Sequence, residues 1–180
     1  AFIHENEPYQ IELLGEWPSF LTSVLEKAKA VTLEEVNVLA CLVAHMDSIQ
    51  LETYEAAIQM RQEKNTDAPV GIKDLLNLCY NLKCFEFRPG IINDRMLGEF
   101  CLEEDRLDWI HIFEVDVRKL LDPQRVGMDQ RKEEMGIFTS KGYVFENALS
   151  YQDIYDGIHL PDIDGVAGGI FSLRLVGSQY

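Results

Sequence analysis

The sequence predicts an α+β fold: a small N-terminal helical bundle followed by a mixed α/β region with short antiparallel strands. Three observations predict it. Apolar residues recur at helical spacing between residues 32 and 82. The period changes at Lys83, where Cys84-Phe85-Glu86-Phe87-Arg88 alternates in type and stops at Pro89-Gly90. Two later apolar runs, 136–139 and 143–145, flank Ser140-Lys141-Gly142, a three-residue hairpin loop with Gly142 in the left-handed position. The 180 residues divide accordingly into a segment of uncertain fold (1–31), a helical bundle domain (32–82) and an α/β domain (83–180). The boundary falls between 65 and 71 or near Lys83.

Residues 1–15 read as irregular or extended, and a short helix is expected over 16–29. Thr32-Leu-Glu-Glu35 is a capping box, with the Thr hydroxyl at N-cap and Glu35 at N3. Behind it Leu33, Val36, Leu39, Ala40, Val43 and Met46 share a face. A second helix follows Asp47-Ser48, with Leu51, Tyr54, Ile58 and Arg61 on one side and Arg61 and Lys64 in its last turn, where cations suit the dipole. After the loop at 65–69, Ile72, Leu75, Leu76, Cys79 and Leu82 line a third helix. Short loops make the three helices antiparallel neighbours in a bundle.

Beyond the first strand, Asn93 or Asp94 caps a helix with Met96, Leu97, Phe100 and Cys101 inward. Its end carries Glu103, Glu104 and Asp105, followed by Asp108, acids that oppose the macrodipole. Residues 109–113 are a strand or a helix lead-in. Asp122-Pro123 caps a further, polar helix reaching about Met135. Past Tyr151 the acids Asp153, Asp156, Asp162 and Asp164 come without compensating bases, and an alternating strand closes the chain over 170–176.

Charge is the compositional feature that bears on function. There are 31 Asp plus Glu against 16 Lys plus Arg, a formal net charge of −15, while 47% of the residues are apolar. Disordered acidic segments pair high charge with low hydrophobicity, so this acid belongs to a folded body. Such a surface repels nucleic acid and attracts proteins that bind nucleic acid; it also serves plain solubility. No run approaches the ~20 apolar residues of a membrane span, and the N-terminus lacks the basic and apolar stretches of a signal peptide. Cys41, Cys79, Cys84 and Cys101 form no CxxC pair. Three of them sit on apolar helix faces, which reads as reduced thiols and a cytoplasmic protein.

The sequence offers little that carries catalysis. It has no P-loop, GxSxG or HExxH motif, and His4, His45, His111 and His159 have no ligand spacing. Cys101 and His111 are too generic a pair to define a nucleophile. Asp162-Ile-Asp164-Gly matches only a fragment of a calcium loop, and Asp-Gly turns explain it better. The expectation is therefore a non-enzymatic protein with no metal and no cofactor, and an enzyme or calcium-dependent protein using 153–164 stands as a minor rival.

Several stretches, in order, resemble the ArdA antirestriction family of mobile genetic elements. They are Leu33-Glu-Glu-Val-Asn-Val-Leu-Ala, the helix-then-strand segment from Ile72 to Pro89-Gly90, Leu97-Gly-Glu-Phe-Cys-Leu-Glu-Glu, and Gly136-Ile-Phe-Thr-Ser-Lys-Gly-Tyr-Val. The resemblance covers about two-thirds of the chain; the family's N-terminal sheet domain has no recognisable counterpart in 1–31. It implies an acidic, dimeric mimic of double-stranded DNA that occupies the DNA-binding groove of type I restriction–modification enzymes and does no chemistry. DNA carries one charge per ~1.7 Å of axis, so a dimer of −15 chains would match about 50 Å of duplex. The partner-binding acids are then Glu99, Glu103, Glu104, Asp105, Asp108, Asp153, Asp156, Asp162 and Asp164, with Glu5, Glu7, Glu12 and Glu16. Arg118, Lys119, Arg125, Arg131 and Lys132 interrupt any uniform stripe. The alternative is a protein-interaction module of a mobile-element protein that keeps the fold without mimicry. It would meet its partner through Trp17, Trp109, Tyr151 and Tyr155.

Overall fold

The computed structural model describes residues 9–14, 17–26, 31–65, 68–104, 118–161 and 172–177. The opening stretch contains a strand, β1 (Tyr9–Leu14), placed against the last strand of the chain. The first helix, α1 (Ser19–Leu25), is shorter than the 16–29 helix expected. It follows Pro18, buries Leu21 and Val24, and ends where the Glu26 N–H bonds Thr22.

Cap chemistry sets the starts of the next helices. Before α2 (Leu33–Ala44), the Glu35 N–H donates to Thr32 Oγ1 at 3.2 Å and the Thr32 N–H donates to Glu35 Oε2 at 2.7 Å. Asp47 and Gln50 make a second capping box at the head of α3 (Ser48–Lys64). At α4 (Ile72–Tyr80) the Gly71 N–H donates to Asp74 at 3.1 Å. Helices α2 and α3 both pack on α4, burying Leu39, Tyr54, Ile58, Leu75 and Leu76. Helix α4 stops two residues before the expected Leu82, which opens a 3-10 turn, Leu82–Cys84.

The strand predicted after Lys83 is β2 (Phe85–Pro89), turned by Gly90 at φ 77°. Next come α5 (Asp94–Glu103), capped by Asn93, and α6 (Pro123–Glu134), capped by Asp122 with Pro123 in its first turn. Met135, left-handed at φ 50°, ends α6. Met96, expected to face inward on α5, is 37% exposed, while Leu97 and Cys101 are fully buried. Strands β3 (Ile137–Phe138) and β4 (Gly142–Glu146) form the hairpin, and β4 lies central in the antiparallel order β2-β4-β3. Gly142 is not left-handed as expected, since Gly90 and Gly157 alone among the described glycines have positive φ. It is glycine for space: a Cβ there would lie 2.4 Å from the Arg88 carbonyl oxygen.

The period-2 geometry of the sheet divides its side chains between two cores. Phe85, Phe87, Ile137 and Val144 join the helical bundle. Tyr143, Phe145 and Phe138 join Leu97, Cys101 and their neighbours on the α5–α6 side. The sheet is thus a middle layer, and Gly142 to Phe145 of its central strand are buried. The larger core runs from Trp17 to Tyr155 and so includes residues on both sides of position 82.

Helices α5 and α6 run antiparallel at backbone contact. A Cβ on Gly98 would fall 1.8 Å from the Pro123 oxygen, and one on Gly127 1.6 Å from the Asp94 oxygen. The last strand, β5 (Ser172–Gly177), pairs antiparallel with β1 from Tyr9↔Gly177 to Leu14↔Ser172. The class is α+β, and no helix among the described residues is long and apolar enough to cross a membrane.

Candidate acidic interaction surface

Two of the predicted acid groups lie on described structure. Glu99, Glu103 and Glu104 are exposed on the last turns of α5. Glu99 is held 3.1 Å from Arg95, one turn back. Glu103 and Glu104 make no ion pair with another described residue, at a helix end where their charge opposes the dipole. Asp105 and Asp108 lie outside the described residues, as do Asp162, Asp164, Glu5, Glu7, Glu16, Trp109 and His111; for Glu12 only the backbone is described, in β1.

Asp153 and Asp156 stand exposed on an extended strap, residues 151–156, that crosses the bundle. Asp156 accepts from the Ile158 and His159 N–H groups at 2.7 and 2.8 Å, and its other oxygen meets His159 Nδ1 at 2.9 Å. These bonds hold its carboxyl well below the usual carboxylate range, with the His159 side chain the largest cause. This is a self-closed turn, and among the described residues no three His, Cys, Asp or Glu side chains are grouped to hold a metal.

The strap is fixed by two asparagines, Asn77 of α4 and Asn81 at its C-cap. Asn77 Oδ1 accepts from the Ile154 and Tyr155 N–H groups, both at 2.8 Å, while its Nδ2 donates to the Tyr155 carbonyl at 2.9 Å. One turn on, Asn81 Oδ1 accepts from the Gln152 N–H at 3.0 Å and Nδ2 donates to the Gln152 carbonyl at 2.8 Å. Tyr155 then enters the core and donates to Glu35 Oε1 at 2.7 Å. Burial, followed by that carboxylate, pushes its phenol up to about 12.

Of the aromatic residues expected to meet a partner, Trp17 and Tyr155 are core residues instead, and Tyr151 is half-buried. The apolar groups that reach solvent here are Leu149, Ile154 and Ile158, the last 79% exposed.

No family model matches the chain, and no curated protein or solved structure matches it either.

Several bases of the described residues are paired with carboxylates of the fold. Arg61 meets Asp74 at 3.2 Å, Lys64 meets Glu146 at 2.7 Å, Arg131 meets Asp94 at 2.7 Å and Lys141 meets Glu52 at 3.2 Å. Arg131, one of the bases that interrupt a uniform acidic stripe in the sequence, ties α6 to the start of α5. Arg88 is the most enclosed, 8% exposed, its guanidinium 4.1 Å over Phe145 and 5.1 Å over Phe100. Glu134 stands 3.5 Å away and also accepts from the Tyr143 hydroxyl and from Gln130. A cavity of about 220 Å³ opens between α3 and the chain leading into the strap, lined by Arg61, Lys64, Phe85, Leu149 and Tyr151. Both its cations are already paired with carboxylates.

Sequence reasoning placed the acids of α5 and of the strap but missed the asparagines that hold the strap. Their signal was present: Asn77 and Asn81 sit four apart among Leu75, Leu76 and Leu78, where helix geometry puts both on one face.

Proposed function

We propose that this chain is a non-catalytic, acidic DNA mimic of the ArdA antirestriction kind, which binds a type I restriction–modification enzyme in place of DNA. The observation that carries this reading is the pair Glu103 and Glu104, exposed at the end of α5 without an ion pair among the described residues. Those charges do not help their helix, and Arg95 and Arg131, at the other end of α5, are paired with Glu99 and Asp94. With a net charge of −15, the surface then suits a cationic groove. The resemblance on the α4–β2 segment, on α5 and on the β3–β4 hairpin supports the same reading.

The test is inhibition of DNA cleavage by a purified type I enzyme, with affinity measured across a salt series. Binding should weaken steeply as salt rises, and Glu103→Gln with Glu104→Gln should cost about tenfold in affinity at low salt. No binding at low salt would sink the proposal.

A second reading is a plain protein-interaction module, favoured by Leu149, Ile154 and Ile158 in solvent beside Asp153 and Asp156. It expects the same double variant to bind its partner unchanged.

A further inference from the structure

We infer that the cavity between α3 and the chain leading into the strap is a binding site for a small organic carboxylate with a flat apolar body. It is independent of the mimicry reading, since it concerns a pocket and not the acidic surface. Three charged side chains line the cavity, Arg61 and Lys64 from α3 and Glu146 from β4. Cations therefore outnumber anions there, in a chain whose net charge is −15. Tyr151 lines it too, and its hydroxyl is buried without a hydrogen-bond partner. Leaving a buried polar group unbonded costs free energy, so an orphan beside a cavity points to a partner that enters from it.

The ion pairs of the two cations leave most of their donors unused. Arg61 bonds Asp74 through Nε alone, so Nη1 and Nη2 have no partner among the described residues. Lys64 gives one N–H to Glu146. That pair is open to solvent, its side chains 37% and 45% exposed, where an ion pair holds only weakly. The Arg61 guanidinium lies 5.5 Å over the Tyr151 ring, which keeps the two side chains together. Donors in excess call for a ligand with acceptor oxygens, and a carboxylate matches the planar fork of an arginine. Phe85 and Leu149 supply apolar lining for the rest of the ligand. Size narrows the class. The cavity measures about 220 Å³, room for about seven waters at ~30 Å³ each. Pockets for drug-sized molecules run to roughly 300–1,000 Å³. A nucleotide is therefore too large, and a carboxylate on a single ring fits.

The probe is benzoate, titrated into the full chain and followed by NMR and by the rise in melting temperature that a ligand of the folded state produces. It should bind with a dissociation constant on the order of 1 mM or tighter and shift the resonances of Phe85, Leu149 and Tyr151. Benzamide has the shape without the charge, and inorganic phosphate has the charge without the ring. Each should bind roughly tenfold more weakly than benzoate. Tyr151→Phe removes only a hydroxyl that bonds nothing in the fold, so this variant keeps its structure. It should lower benzoate affinity about tenfold, and Lys64→Met should lower it by a similar factor. Absence of shifts at Phe85, Leu149 and Tyr151 well above that concentration overturns the site. Equal binding of benzamide overturns the charge requirement, and equal binding of phosphate overturns the apolar one. Unchanged affinity in both variants overturns the assignment to this cavity. No step uses a restriction–modification enzyme, so failure here is separate from failure of the mimicry reading.

Discussion

Replacing Arg88 by Ala takes a guanidinium from over two phenyl rings and leaves Glu134, 14% exposed, with Tyr143 and Gln130 as its donors among the described residues. Breaking such an enclosed pair costs roughly 3–5 kcal/mol, so the urea midpoint of Arg88→Ala should drop sharply. Arg88→Met, which keeps most of the volume against Phe100 and Phe145, should lose less; an equal loss in both would show that charge pairing matters more than packing. At this scale the sequence is legible where the partner is near. Thr32 with Glu35, Asn93 and Asp122 were readable as caps because the groups they bond lie two or three residues away. Arg88 was one polar position in an alternating strand. Its ring partners lie on α5 and β4, and no local pattern links them.

The pairing of α5 with α6 rests on two glycines. Gly98→Ala and Gly127→Ala each place a methyl within 2 Å of a backbone oxygen of the other helix, Pro123 in one case and Asp94 in the other. Backbone cannot rotate aside as a side chain can, so the helices must part. Overpacking of this kind costs about 1–3 kcal/mol. Denaturant titration should show both variants destabilised, although alanine favours an isolated helix over glycine by about 1 kcal/mol; stabilisation in either would mean the helices pack less closely. The sequence announced α6 as polar and mixed in charge, and its one buried residue is Gly127. A glycine within a helical pattern signals close packing only weakly. The same limit applied to Gly142, where a turn conformation was expected and the requirement is room beside β2.

Across the whole molecule, phenols are buried or half-buried in both cores and a half-buried thiol packs against the larger one, and this sets an alkaline limit. Burial holds Tyr54 and Tyr143 well above the ordinary tyrosine value of 10.0, and Tyr151 and Tyr155 at about 12. The Cys79 thiol rises from 9.0 to about 12 for the same reason. Each folded value exceeds the unfolded one, so the unfolded chain releases these protons first and stability falls as pH climbs. The urea midpoint should decline from pH 9.0 upward and fall most between 10.0 and about 12. Tyr155→Phe should flatten part of that decline; an unaltered profile would remove Tyr155 from the cause. The class and the order of the elements from α2 to α5 were legible at this scale, because periodicity and turn chemistry are local; β1, whose partner lies at 172–177, was not. The layering was not: that Val144 serves the bundle while Tyr143 and Phe145 serve α5 and α6 depends on which surfaces the helices cover.

The ribbon of β1 and β5 has a consequence for biosynthesis. Its strands come from the two ends of the described chain, so β1 leaves the ribosome long before its partner exists. Translation proceeds at about 5–20 residues per second, which leaves β1 waiting on the order of ten seconds or more. Through that interval its backbone donors and acceptors have no β5 to bond, and an open strand edge is a template for other nascent chains. The thermodynamic cost of closing so long a loop is small, since each doubling of length adds only about 0.6 kcal/mol. The exposure is one of time, and it falls on β1 in every copy made.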